Sequence, residues 1–196
     1  MALGKQAKII SKSQTDAVLG YLARTRYPER NRVIFLLSVK AGLRAKEIAS
    51  LTWSMVTGPD GAVGSSIHLM DRASKGRGGG RVIPLNRELR GAIETLWRSR
   101  RSIGEGVHVV GTERTSSTRP QVIVNLFSRW YTQLDLMGCS SHSGRRTFIT
   151  NAARKISTVG GSLRDVQVLA GHSNLSTTQR YIEADAAAQR RIVELV

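Results

Sequence analysis

The sequence predicts a mainly α-helical fold with one small antiparallel β-sheet, an α+β class. Apolar residues recur at helical spacing, with capping residues at the segment ends, through most of the 196 residues. Between Trp53 and Leu85 the pattern changes to two short apolar runs around a glycine-rich turn, which is typical of a hairpin. No internal repeat or long linker divides the chain, so we expect one domain.

The N-terminal part is predicted to form three helices after a basic tail, residues 1–12. Ser13 is a suitable N-cap for the first helix. Pro28 indicates the first turn of the second, whose apolar run 33–39 favours the middle of the core. Gly42 is expected to end that helix, and a shorter third helix follows.

The hairpin strands are predicted at 65–69 and 81–85, joined by a basic, glycine-rich turn at 74–80. Helical periodicity then returns from Asn86 to about Gly104. A further amphipathic helix is expected after Pro120.

The last third of the chain is predicted to form helices separated by glycines. A helix is expected over 141–155, and Gly160 ends it. Ser162 then caps a helix that stops at Gly171. The segment from Ser176 has a capping-box pattern and opens the helix that bears Tyr181.

The charge of the chain indicates a polyanionic partner. Thirty Lys and Arg residues against fourteen Asp and Glu give a net charge of +16 and a pI near 11.3. An apolar content of 40% argues against disorder. A single cysteine, Cys139, excludes an internal disulfide, and no apolar run is long enough to span a bilayer. These features predict a cytoplasmic protein that contacts nucleic acid.

Several side chains of suitable chemistry are candidates for a reaction centre, although each has an ordinary alternative. Alone, Arg44 reads as a solvated surface arginine and Lys75 as part of a solubilising turn. His142 and Arg145, three residues apart at a helix start, share a face, as many such pairs do by chance. The remaining candidates are His172, just after a glycine stop, and Tyr181, which alone reads as a half-buried helix residue.

Taken together and in order, these residues lie in four segments: AGLRAKEIASLTW, SKGRGGGRVIPL, HSGRRTFIT and LAGHSNLSTTQRYI. The four segments, over about residues 14–185, resemble the tyrosine recombinase, or phage integrase, family. The resemblance implies the catalytic-domain fold of that family. It also implies site-specific cleavage and rejoining of DNA through a covalent 3′-phosphotyrosyl intermediate.

The resemblance assigns a role to each candidate. Arg44 and Arg145 would hold the scissile phosphate, and Tyr181 would be the nucleophile. Lys75 would protonate the leaving 5′-oxygen, while the two histidines, His142 and His172, would assist proton transfer and phosphate binding. The resemblance also makes Glu47 a supporting acidic residue. Arg77, Arg81 and Arg146 are expected to contact DNA.

Two positions depart from the family pattern, which usually has Leu before the second arginine and His after it. Here they are Gly144 and Arg146. No nucleotide cofactor is expected, because the glycine-rich turn is not a phosphate-binding loop. No metal is expected either, because the four histidines do not have ligand spacing with one another, with Cys or with a carboxylate.

The domain organisation expected from the resemblance is a catalytic domain at 13–181 and a C-terminal segment, 182–196. That segment is expected either to dock on a neighbouring protomer or to pack on its own chain. The N-terminal DNA-clamping domain of longer members is expected to be absent, and the sequence does not decide between a natural single domain and a truncation. The partners implied are a specific duplex DNA site and further copies of the chain, from dimer to tetramer, in a bacterial or phage-derived, nucleoid-associated setting. Two alternatives stay open: strand relaxation like that of a type IB topoisomerase, and a non-catalytic DNA-binding relic or regulator.

Overall fold

The computed structural model describes residues 7–70, 80–101, 107–111, 117–181 and 193–194. These residues form eight α-helices and a two-stranded antiparallel sheet, so the predicted fold class is confirmed. The helices are α1 (Lys12–Leu22), α2 (Pro28–Ala41), α3 (Ala45–Ser50), α4 (Arg87–Arg101), α5 (Pro120–Gln133), α6 (Ser143–Lys155), α7 (Leu163–Ala170) and α8 (Leu175–Gln179). The strands are β1 (Ser66–Leu69) and β2 (Arg81–Pro84). Within this described part of the chain, no helix is both long and apolar enough to cross a membrane.

Helix α2 lies at the centre of the core, as its apolar run predicts. Five consecutive residues, Val33–Leu37, are fully buried, and the helix packs against α4 on one side and α6 on another. Helix α5 covers the same core with Phe127, whose ring lies 6.5 Å from that of Phe35. Gly42 ends α2 in a left-handed conformation, with φ of 64°.

The hairpin places a basic residue beside the helical body. Strand β1 pairs with β2 in the register Ile67 to Ile83 and Leu69 to Arg81. Ile67, Leu69 and Ile83 are buried on one face, whereas the opposite face is exposed at His68 and Val82. Arg81 starts β2 next to the connecting turn, on the same face as Ile67, Leu69 and Ile83.

Three predicted helix starts need correction. Helix α1 begins two residues earlier than expected: Ser11, not Ser13, is its cap, and Ser11 and Gln14 exchange side-chain to backbone hydrogen bonds. Helix α6 begins at Ser143 rather than 141. Helix α8 begins at Leu175, so the expected capping box at Ser176 does not form.

The end of the predicted basic tail packs on the helical body. Ile10 is buried, and its backbone N–H donates to Oγ1 of Thr147 on α6 at 2.8 Å. Lys8 N–H donates to the carbonyl of Gly138 at 3.2 Å. Residues 7–11 thus lead into α1 along the start of α6.

A small second core joins α6 to α7 and fixes the end of α8. Ile149, Val166 and Ala170 are fully buried there, and Tyr181 packs against them. Oγ1 of Thr150 donates to the carbonyl of Tyr181 at 3.2 Å. This packing sets where the tyrosine lies relative to the first turn of α6.

Candidate active site

Arg145 is a buried cation at the start of α6 and is held by the ends of two other helices. Only 3% of the residue is exposed. Nη1 donates to the carbonyl of Gly42, at the end of α2, and Nη2 donates to the carbonyl of Ala170, at the end of α7, both at 2.6 Å. Helix C-termini stabilise a positive charge, which favours this placement. Burial, with the charge of Arg44, lowers the pKa of Arg145 to about 10, so the guanidinium remains charged at neutral pH.

His172 lies against Arg145 and is held in one tautomer. Its Nε2 is 2.9 Å from Nη2 of Arg145, and its Nδ1 is 2.9 Å from Oγ1 of Thr178. A guanidinium can only donate, so Nε2 accepts and the ring proton is on Nδ1, which donates to Thr178. Burial, followed by the charges of Arg145 and Arg44, lowers the pKa of His172 to about 4. The imidazole is therefore neutral at physiological pH.

Tyr181 lies directly over this imidazole. The ring centroids of His172 and Tyr181 are 5.5 Å apart, and the planes are inclined by 22°. The tyrosine also lines a cleft of about 220 Å³ at the start of α6. The described residues lining this cleft are Ala7, His142, Arg145, Arg146, Thr177, Arg180 and Tyr181.

Two further residues at this cleft, His142 and Arg146, come from the same segment as Arg145. His142 is the residue before the helix, and its side chain is exposed. Arg146 is half-buried, and its Nη1 donates to the carbonyl of Ala7 at 3.2 Å. The cleft thus joins an exposed imidazole, three arginines and the phenol of Tyr181.

A second group of charges surrounds the carboxylate of Glu47. Only 1% of Glu47 is exposed. Arg44, the residue before α3, donates from Nη1 to Oε1 at 3.0 Å and from its backbone N–H to Oε2 at 2.8 Å. Burial alone would raise the carboxyl pKa, but the hydrogen bonds and charge of Arg81, with those of Arg44, more than reverse this effect. The pKa of Glu47 lies below its usual value, and the group is ionised.

Arg81 does not lie where a DNA contact was predicted. Its side chain is only 8% exposed. Both Nη atoms bind the two oxygens of Glu47, at 2.9 and 3.0 Å, and Nε donates to the carbonyl of Leu169 at 3.1 Å. Arg81 is therefore a buried partner of Glu47, because it lies on the inward face of the hairpin with Leu69 and Ile83.

The structure brings most of the predicted site residues that it describes into one region. Arg145 links α2 to α7 and contacts His172, which Tyr181 covers; the charges of Arg44 and Arg81 act on the same imidazole. Lys75 and Arg77 lie outside the described residues. Thr178 was not singled out from the sequence. The available signal is its position three residues before Tyr181, which places both on one face of a helix.

Comparisons with known proteins identify the family of the chain. Residues 8–188 match the phage integrase family. The chain is 28% identical over 191 residues to tyrosine recombinase XerA of Pyrococcus horikoshii, covering 97% of this chain and 63% of that protein. It is 29% identical over 187 residues to tyrosine recombinase XerC of Shewanella sp. strain ANA-3, covering 92% and 58% respectively.

Solved structures show the same fold. The Tn1549 transposon integrase in complex with transposon right end DNA matches with a TM-score of 0.76 at 17% identity, over 98% of this chain and 66% of that one. The crystal structure of XerA recombinase matches with a TM-score of 0.72 at 20% identity, over 97% and 66%. The catalytic-domain fold implied by the sequence resemblance is thereby confirmed. The chain spans 63% of the first of these curated relatives.

Proposed function

Since the chain belongs to the phage integrase family, we propose that it cuts and rejoins duplex DNA at a specific site through a covalent bond between Tyr181 and a 3′-phosphate. The observation that carries this proposal is the stack of Tyr181 on His172, with His172 bonded to Arg145. A nucleophile, a neutral imidazole and a phosphate-binding cation meet there at the edge of one cleft.

The charges of the site suit a phosphodiester. Arg145 and Arg44 supply guanidinium donors, and such preorganised donors stabilise the extra negative charge that develops on the non-bridging oxygens. Arg145 is already fixed by two carbonyls, so it needs little reorganisation when the phosphate arrives. His172 lies within reach of the same phosphate position through its bond to Arg145.

The proposed reaction exchanges one phosphate ester bond for another and needs no external energy source. The Tyr181 oxygen forms a bond to phosphorus as the bond from phosphorus to the 5′-oxygen breaks. His142 accepts the phenol proton, and Lys75 gives a proton to the leaving 5′-oxygen. Attack by the 5′-hydroxyl of another strand reverses these steps and reseals the DNA. The roles of Lys75 and Arg77 rest on the family resemblance.

The partners follow from the same relationship. The Tn1549 integrase is described with transposon DNA and XerH recombinase with its difH substrate, which supports a duplex DNA site as the substrate of this chain. Assembly of two to four copies on that DNA is part of the proposal, with residues 182–196 docking on a neighbouring copy. A λ integrase dimer bound to a core site supports this assembly. A cytoplasmic location stays a prediction.

A covalent-capture experiment tests the reaction. The Tyr181→Phe protein first selects its binding site from a pool of random duplexes. A nicked duplex of that sequence, which loses its short 5′-hydroxyl fragment after cleavage, is then incubated with each protein and run on a denaturing gel. We expect a protein–DNA band with wild type and none with Tyr181→Phe. A band that persists in the Phe variant contradicts the nucleophile assignment.

Two further outcomes separate the alternatives. Selection of a binding site without any covalent band would favour a DNA-binding relic or regulator. Relaxation of a supercoiled plasmid that lacks the selected site would favour a topoisomerase-like activity. The recombinase proposal expects a covalent band only on the selected site.

A further inference from the structure

We propose that Arg81 is a positioning residue that neutralises Glu47 and thereby leaves the charge of Arg44 available to the DNA phosphate. The inference rests on the proposed function for its catalytic part, because it concerns the same site. It differs from the role predicted from the sequence, which was a direct contact between Arg81 and DNA.

The contacts of Arg81 are those of a buried ion pair with two-point geometry. Its two Nη atoms bind Oε1 and Oε2 of Glu47 at 2.9 and 3.0 Å. Both partners are almost inaccessible, with side chains 8% and 1% exposed. A bidentate pair between a guanidinium and a carboxylate is the strongest form of this interaction and fixes the orientation of both groups.

Arg44 binds the same carboxylate through one side-chain hydrogen bond rather than two. Its guanidinium donates only from Nη1, at 3.0 Å, beside the backbone N–H bond to Oε2 at 2.8 Å, and its side chain is 28% exposed. Among the contacts of the described residues, this is the side-chain hydrogen bond that Arg44 makes. The charge of Glu47 is thus already balanced by Arg81, and the charge of Arg44 is not cancelled. Without Arg81, the buried carboxylate would have Arg44 as its counterion, and the guanidinium would be drawn inward.

Arg81 also ties the hairpin to the segment that holds His172. Its Nε donates to the carbonyl of Leu169 in α7 at 3.1 Å. Gly171 has φ of 62°, and a Cβ atom there would lie 2.7 Å from Nη1 of Arg81. The guanidinium therefore occupies the space beside this glycine. One side chain joins β2, α3 and the end of α7, which lie around the phosphate-binding arginines.

Two substitutions separate the charge of Arg81 from the volume of its side chain. Arg81→Met keeps the length of the side chain and removes its charge, which leaves Glu47 uncompensated. Adding Glu47→Gln removes the uncompensated charge while an amide oxygen can still accept from Arg44. Arg90→Met is the matched control, since Arg90 pairs with Glu94 on the surface of α4 and does not line the cleft.

Covalent capture on the duplex selected by Tyr181→Phe measures cleavage, and fluorescence anisotropy on that duplex measures affinity at several salt concentrations. We expect Arg81→Met to slow cleavage by about 10- to 100-fold, the effect typical of losing an outer partner that orients a binding group. The salt slope of DNA binding should stay unchanged, whereas loss of a phosphate contact reduces it by about 1. Adding Glu47→Gln should restore part of the rate.

Urea unfolding of the free proteins tests the pair without any DNA. The double-mutant cycle compares wild type, Arg81→Met, Glu47→Gln and the variant with both changes. We expect the effects of the two substitutions on the unfolding equilibrium constant to differ from additivity by about tenfold or more.

Cleavage by Arg81→Met at the rate of Arg90→Met overturns the inference, as does a cleavage loss explained by weaker, less salt-dependent DNA binding. Absence of coupling also overturns it. If wild type forms no adduct, the proposed function fails and takes the catalytic role of Arg81 with it, while the unfolding cycle still decides whether Arg81 neutralises Glu47.

Discussion

Oγ1 of Thr178 lies 2.9 Å from Nδ1 of His172, and both residues are buried. Thr178 belongs to α8, the helix that leads directly into Tyr181. The imidazole on which the tyrosine stacks is therefore held by the helix that ends just before the tyrosine. A hydroxyl can accept or donate, so Thr178 can serve either tautomer of His172.

The substitution Thr178→Val tests this hydrogen bond at nearly constant volume. We expect the free energy of unfolding to fall by about 1–3 kcal/mol, because a buried ring nitrogen loses its partner. Cleavage should fall by about 10-fold as the orientation of His172 loosens. Thr178→Ser keeps the hydroxyl and should restore most of the cleavage rate, and Ser176→Ala, at an exposed position of the same helix, is the control. Equal cleavage by the Val and Ser variants would contradict the role.

The low pKa of His172 predicts how stability depends on pH. The pKa is about 4 in the folded protein, against about 6.5 in an unfolded chain. Between these values the unfolded chain binds a proton that the folded protein does not, so folding stability falls as pH falls from about 6.5 to about 4. The loss assigned to this residue is up to about 3 kcal/mol.

Urea unfolding of wild type and His172→Gln from pH 4.5 to 7.5 measures this effect. The variant lacks the titration of His172, so the difference between the two unfolding free energies isolates it. We expect wild type to lose its advantage toward acid pH. A difference that is constant over the whole range would show that His172 has an ordinary pKa.

Local patterns predicted the residues that lie at helix ends and in the core. Arg145 follows His142 by three residues at a helix start, and the structure places both at the start of α6. The apolar run of α2 is central, and Gly42 ends that helix, as predicted. In each case the information is within a few residues of the feature.

Pairing between distant segments could not be predicted in this way. Arg81 is 34 residues from Glu47 in sequence, and a basic residue next to a glycine-rich turn reads as a surface group. The alternation of β2 places Arg81 on the inward face with Ile83, but nothing nearby identifies Glu47 as its partner. Thr178 was read as part of a capping box, whereas its hydroxyl binds His172, six residues earlier.

The contact between α2 and α6 explains one departure from the family pattern. A Cβ atom on Gly144 would lie 2.9 Å from Cβ of Ser38 and 3.0 Å from Cγ1 of Val39, and would overlap the Ser38 hydroxyl. Glycine at this position lets the two helices pack closely beneath Arg145. The usual leucine of the family would not fit against this α2 surface.

We therefore expect Gly144→Ala to lower the free energy of unfolding by about 1–3 kcal/mol through overpacking. Gly91→Ala is the matched control: Gly91 is also in a helix, and an added Cβ there meets nothing within 4 Å. That control should gain about 0.5–1 kcal/mol from helix propensity. Urea unfolding of both variants measures the contrast. If Gly144→Ala is as stable as Gly91→Ala, the close packing of α2 and α6 is not required.

Arg146 offers the contrast to Arg81, because it lines the cleft with Tyr181. If it contacts a phosphate beside the scissile one, Arg146→Met should weaken DNA binding and reduce the salt slope by about 1. The guanidinium also donates to the carbonyl of Ala7, so urea unfolding of the variant is needed to show that the N-terminal segment stays in place. Arg98→Met, an exposed arginine of α4 that does not line the cleft, is the matched control. Anisotropy titrations between low and moderate salt decide the question: equal slopes for Arg146→Met and Arg98→Met would remove Arg146 from the DNA interface.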